Sequence, residues 1–145
     1  MDHRRSHPLD EESLRWWLNV DASTLHLLSH RELIEAAPVV WFATDLLDET
    51  LQCIQRVGTA MLWNDDHLRR TLDVLRRLIP KLAIRFAIVS KPENGQEEQE
   101  KDLKRFSHAL NRLIQRSSDM AIGPAIRKFV DVFDETYSEY VKGLY

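Results

Sequence analysis

Apolar positions recur at steps of three and four along most of the chain, the period of one face of an α-helix. The clearest run is Leu68, Leu72, Leu75, Ile79, Leu82, Phe86 and Val89, stepping by 4, 3, 4, 3, 4 and 3. It passes straight through Pro80. An interior proline removes a backbone hydrogen bond and crowds the preceding turn, so one kinked helix is predicted there. The competing reading makes Leu82 to Val89 a β-strand, because Ile and Val are stiff and β-prone. The unbroken period favours the helix. Upstream, Val40, Ala43, Leu47, Leu51, Ile54, Gly58 and Met61 form a second stripe, widened by Leu46, Val57 and Leu62. They predict a long helix to about Trp63, with Pro38 either in its first turn or at a kink.

Polar residues punctuate these stripes. Asp10 can cap a short helix carrying Leu14, Trp17 and Leu18, and Asp21 offers a second cap before Leu25 and Leu28. Ser29-His30-Arg31-Glu32 is a capping box: the serine hydroxyl can accept from the Glu32 N–H while the glutamate reaches back to the Ser29 N–H. Asn64-Asp65-Asp66 supplies the cap before the Pro80 helix, and Lys91-Pro92-Glu93-Asn94-Gly95-Gln96 is the clearest loop. A further helix starts near Glu97 with Leu103, Phe106, Leu110 and Leu113 as its stripe. Glu97, Glu98, Glu100 and Asp102 open it and Arg112 and Arg116 close it, matching the helix dipole at both ends. Ser117-Ser118-Asp119 breaks it. Gly123-Pro124 opens a last helix with Ile126, Val130, Phe133, Tyr137, Tyr140 and Leu144 on one side. The expected fold is an all-α, single-domain helical bundle of four main helices plus short N-terminal helices. Residues 1–9 read as a flexible leader and 10–145 as the domain.

Composition agrees with this pattern. Four Gly and five Pro in 145 residues are too few for an all-β domain, which needs frequent turns. A chain of this size can bury about two-thirds of its unfolded surface without a metal or disulfide. Cys53 stands alone, which excludes an intrachain disulfide framework and fits a reducing compartment. No apolar run approaches the roughly 20 residues needed to span a bilayer, and no apolar signal segment follows the first residues. A cytoplasmic protein without a transmembrane segment is expected.

The net charge of −3 hides a segregation. Residues 1–66 carry five basic and twelve acidic residues, a net of −7. Residues 67–92 carry seven basic and one acidic, a net of +6, and residues 93–145 carry eight and ten, a net of −2. At about 100° per residue, Arg70, Arg77, Lys81 and Arg85 project within a narrow sector, with Arg69 and Arg76 on its flank. Asp131, Asp134, Glu135 and Glu139 form the opposite sign on the last helix. A charged outer face is what any amphipathic helix carries. Guanidinium groups in a row also suit an acidic partner or a polyanion, by bidentate geometry. A third reading pairs the basic helix with the acidic helix of another subunit, which fixes orientation more than affinity. The sequence pI of about 6.1 argues against a dedicated nucleic-acid domain.

Catalytic and metal signals are sparse. His26 and His30 are spaced i, i+4, but the Ser29 cap puts a helix start between them, and H-E-x-x-H is absent. Capping explains Asp65 and Asp66 beside His67 without acid–base work. Cys53 reads as a structural thiol with no activating base in its sequence neighbourhood. The phosphate-loop, dinucleotide and nucleophile-elbow motifs are absent. An enzyme, a cofactor and a metal site are therefore not expected. Trp16, Trp17, Trp41 and Trp63 all fall in the first half. Adjacent Trp16 and Trp17 lie about 100° apart on a helix and cannot both face one core, so either can serve as an interface anchor.

From Leu46 to Met120, Asp48-Glu49, the run Leu78-Ile79-Pro80-Lys81-Leu82-Ala83-Ile84 and the polar loop ahead of Lys104-Arg105-Phe106 follow in an order that faintly resembles the TIPE family of helical lipid-binding proteins. The resemblance spans about half of the chain. It implies helices around an apolar cavity, with basic residues near its mouth for a lipid headgroup. The residues themselves favour a non-catalytic interaction or scaffold subunit that binds a protein partner or its own second subunit. The expected working surface is Arg69, Arg70, Arg76, Arg77, Lys81 and Arg85. A lipid or apolar-ligand carrier and an accessory subunit on the nucleic-acid backbone stand as alternatives.

Overall fold

The structure, a computed structural model of the chain, describes residues 9–57, 66–89 and 97–144. In order come α1 (Glu11–Asn19), a 3₁₀ turn (Ala22–Leu27), α2 (His30–Glu35), α3 (Ala37–Val57), α4 (Asp66–Val89), α5 (Glu97–Ser117) and α6 (Gly123–Leu144). Among the described residues there is no strand, so Leu82 to Val89 is helical. The leader through residue 8, the expected extension of α3 over 58–63, the Asn64-Asp65 cap and the Lys91–Gln96 loop lie outside the described residues.

The caps are where the polar residues place them. Asp10 Oδ1 accepts from Ser13 N at 2.7 Å and starts α1. Asp21 Oδ1 accepts from Ser23 N at 3.1 Å, opening the 3₁₀ turn and not the α-helix that a cap usually announces. At α2 both halves of the capping box form, Glu32 N to Ser29 Oγ at 3.1 Å and Ser29 N to Glu32 Oε1 at 3.0 Å. Each such cap contributes about 1 kcal/mol by satisfying an otherwise orphaned N–H. Pro38 is the second residue of α3, where its missing N–H has no partner to lose. α4 runs on through Pro80. Between α5 and α6, Gly123 N bonds Met120 O at 3.0 Å, and a Cβ on Gly123 would come within 2.5 Å of the Ser117 carbonyl oxygen. Only glycine fits that approach.

The four long helices pair as α4 with α6 and α3 with α5, and smaller α3–α4 and α5–α6 contacts close the bundle. α4 touches every other element. From Lys81 to Val89 all its residues except Ile88 are buried, because α1, the 3₁₀ turn and α2 wrap over the side that the other long helices leave open. A single hydrophobic cluster runs from Trp17 to Phe133. Its centre is aromatic: Phe86 and Phe106 lie 6.4 Å apart, Phe86 and Phe133 6.2 Å, and Phe106 and Phe133 5.4 Å between ring centroids. These spacings are those of rings in direct contact. No helix among the described residues is long and apolar enough to cross a membrane.

Candidate functional site

α4 presents two different basic surfaces, split at its middle. In the first half Arg69, Arg70, Arg76 and Arg77 are exposed. Asp73 sits between them, with its Oδ1 2.7 Å from Arg76 Nη2 and its Oδ2 3.3 Å from Arg77 Nε. The bond from Arg76 and the two positive charges hold the Asp73 carboxyl below its ordinary range. Arg70 Nε makes a long 3.4 Å contact with the Asp66 carbonyl, and Arg69 has no ion-pair partner among the described residues. Four guanidinium groups thus share one carboxylate within two turns, and a formal positive surplus faces solvent.

In the second half the row turns inward, which corrects the expectation of one continuous solvent-facing surface. Lys81 is 6% exposed and Arg85 0%. Lys81 Nζ donates to the carbonyls of Trp17 and, at 2.9 Å, Leu18. Both belong to the last turn of α1. Arg85 Nε donates to the Leu33 carbonyl at 2.8 Å, in the last turn of α2. The final carbonyls of a helix have no intrahelical donor and carry the negative end of its dipole. Two cations four residues apart on α4 therefore cap the C-termini of two short helices, neither of which has a base in its own last turn. Burial, followed by the charge of Arg77, lowers the Lys81 pKa, and Asp21 pulls against it. Burial pushes the Arg85 pKa down to about 10, and buried Asp102 on α5 pulls against it. The guanidinium carbon also lies 5.3 Å from the Phe86 ring centroid. These two residues serve the fold, and the cations left exposed on α4 are Arg69, Arg70, Arg76 and Arg77.

The tryptophan pair divides as its angle requires. Trp17 is 5% exposed and enters the core, while Trp16 is 44% exposed and meets Trp17 edge-on at 5.3 Å. Trp16 lines a shallow surface cleft with Glu12, Arg15, Asn19 and Val20. Of the two expected anchors only Trp16 can touch another molecule. His26 lies in the 3₁₀ turn and His30 opens α2, so the pair shares no helical face. Among the described residues no group of three or more His, Cys, Asp and Glu side chains is gathered as a metal site.

One grouping was not visible along the chain. Glu49, Gln52, Cys53 and Arg56 on α3 face His67, Leu68 and Thr71 on α4 across a cleft of about 320 Å³. Arg56 follows Cys53 by three residues on α3, and His67 arrives only through the packing of α3 on α4. The cleft gathers a thiol, an imidazole, a guanidinium and a carboxylate at one end of the bundle. An apolar-ligand carrier would instead need space between the long helices, where the Phe86, Phe106 and Phe133 rings are in mutual contact. No protein-family model matches this chain, and neither a curated protein nor a solved structure matches it.

Proposed function

We propose that this protein is a non-catalytic interaction subunit that uses Arg69, Arg70, Arg76 and Arg77 on α4 to hold an acidic protein surface. The observation that carries this reading is the local charge surplus: four exposed guanidinium groups on a stretch of α4 whose carboxylates are Asp66 and Asp73 alone. Arginine suits the task because its planar fork engages carboxylates bidentately and stays charged at any physiological pH. A protein partner is favoured over nucleic acid because the rest of the chain is acidic, with a net charge of −3 overall. A long phosphate backbone would meet repulsion outside the basic patch, whereas a compact acidic surface would not.

Fluorescence anisotropy with labelled poly-L-glutamate tests the proposal. Binding should appear at low salt, fade as the ionic strength rises, and weaken at least about tenfold in the Arg70→Glu plus Arg77→Glu variant. Binding that ignores both salt and these substitutions would dismiss the α4 surface. Preferential binding to a DNA duplex of equal charge would move the reading to nucleic acid.

A further inference from the structure

The acidic surface that best matches the α4 row is on the protein itself. Asp131, Asp134, Glu135 and Glu139 on α6 are all exposed, and none has an ion-pair partner among the described residues. Asp134, Glu135 and Glu139 line one shallow surface cleft with Ser138 and Lys142. The two rows have equal length: Arg69 to Arg77 and Asp131 to Glu139 each span nine residues, about 12 Å of helix. Their signs are opposite, and both rows point away from the core on helices that pack against each other.

The rows do not meet within one chain: among the described residues no ion pair joins them. Phe86 and Phe133 rings lie 6.2 Å apart, so Phe133, inside the acidic row, packs at the level of Phe86. Arg69 to Arg77 precede Phe86 by 9 to 17 residues, about 14–26 Å along the axis. One neighbouring pair of helices therefore carries a basic patch at one height and an acidic patch at another. A two-fold axis that set each basic row against the acidic row of the other copy would make both contacts at once and close the assembly.

We infer that the chain forms a symmetric dimer in which the Arg69–Arg77 row of each copy lies on the Asp131–Glu139 row of the other. This deepens the proposed function by identifying the acidic partner as a second copy. Exposed ion pairs are individually weak and are screened by salt, so the dimer is salt-sensitive. Complementarity sets its orientation more than its strength.

Charge-swap variants read by sedimentation velocity test this. The wild-type chain at about 100 μM should dimerise in about 50 mM NaCl and dissociate near 500 mM, where the Debye length falls below about 5 Å. Arg70→Glu plus Arg77→Glu alone, and Asp134→Lys plus Glu135→Lys alone, should each be monomeric. An equimolar mixture of the two should regain the dimer, because both cross-contacts are again attractive. All four positions are exposed, and the milder Arg70→Gln plus Arg77→Gln should also weaken the dimer, with far-UV circular dichroism verifying the fold. A wild-type monomer at low salt, or a dimer indifferent to both swaps, overturns the inference. If the wild type is monomeric yet binds poly-L-glutamate through the arginines, the dimer falls and the proposed function stands. If it dimerises through the two rows but fails to bind the polymer, the surface is specific to its own second copy.

Discussion

Replacing Arg85 with methionine separates opposing effects that meet at one buried side chain. Burial pushes the Arg85 pKa down to about 10, with the charge of buried Asp102 pulling the other way. Methionine relieves that penalty while keeping much of the volume. It also withdraws the donor from the Leu33 carbonyl, leaving a buried acceptor short of a partner at a cost of about 1–3 kcal/mol. The larger loss is electrostatic. Asp102 is 3% exposed and loses an attractive charge; taking away one of two attracting buried charges costs up to about 3–5 kcal/mol. The balance is a net destabilisation centred near 3 kcal/mol, or about 6–12 °C in Tm for a chain of this size. In Arg85→Met plus Asp102→Asn both charges are gone, so stability should return to within about 1–2 kcal/mol of wild type. Urea denaturation followed by far-UV circular dichroism on the four chains of this cycle gives the coupling directly. A double variant no more stable than the Arg85→Met single, or a single as stable as wild type, would refute the account of Arg85 and Asp102 as mutually stabilising buried charges.

Lys81→Met should cost about 1–3 kcal/mol by stripping the donor from the Trp17 and Leu18 carbonyls; native-state hydrogen exchange should show α1 opening well before α4. Acid should loosen the same N-terminal region. Hydrogen bonds from Ser13, Ser23 and Ser29 hold the carboxyls of Asp10, Asp21 and Glu32 below their ordinary 3.8, 3.8 and 4.5. A carboxyl depressed in the folded state stabilises above its unfolded pKa and loses that contribution as pH falls through the folded value. Amide exchange in α1 and α2 should therefore accelerate below about pH 4 while α5 stays protected, and uniform acceleration would contradict it. Phe106→Ala should cost about 3–5 kcal/mol because it empties the ring cluster at the bundle centre, measured by the shift of the urea midpoint. Gly123→Ala should cost about 1–3 kcal/mol, since the new methyl meets the Ser117 carbonyl; an unchanged Tm would show that the α5–α6 turn adjusts freely.

The helical class and the element order were legible because they depend on local rules. Apolar residues at steps of three and four must sit on one helix face, whatever packs against it. Asp10 and the Ser29–Glu32 box satisfy N–H groups within three residues of themselves, so sequence neighbours suffice to read them. The 3₁₀ geometry after Asp21 was not legible, because a cap announces a start and not the pitch that follows.

The basic row marks the boundary between the two kinds of information. Helical angle alone places Arg70, Arg77, Lys81 and Arg85 in one sector, and it does so correctly. Which part of that sector meets solvent depends on segments 52 to 64 residues away in sequence: the ends of α1 and α2, whose carbonyls come to rest on Lys81 and Arg85. Likewise, Cys53 and His67 become neighbours of one cleft only when α3 packs on α4. The sequence by itself determined the helices, their starts and the sign of each face, since these follow from periodicity and nearest-neighbour hydrogen bonding. Tertiary packing alone decides that half of the row of cations caps the short N-terminal helices from inside and that the other half is left exposed to solvent. The reason is that burial and the satisfaction of terminal carbonyls are properties of segments brought together from far apart along the chain.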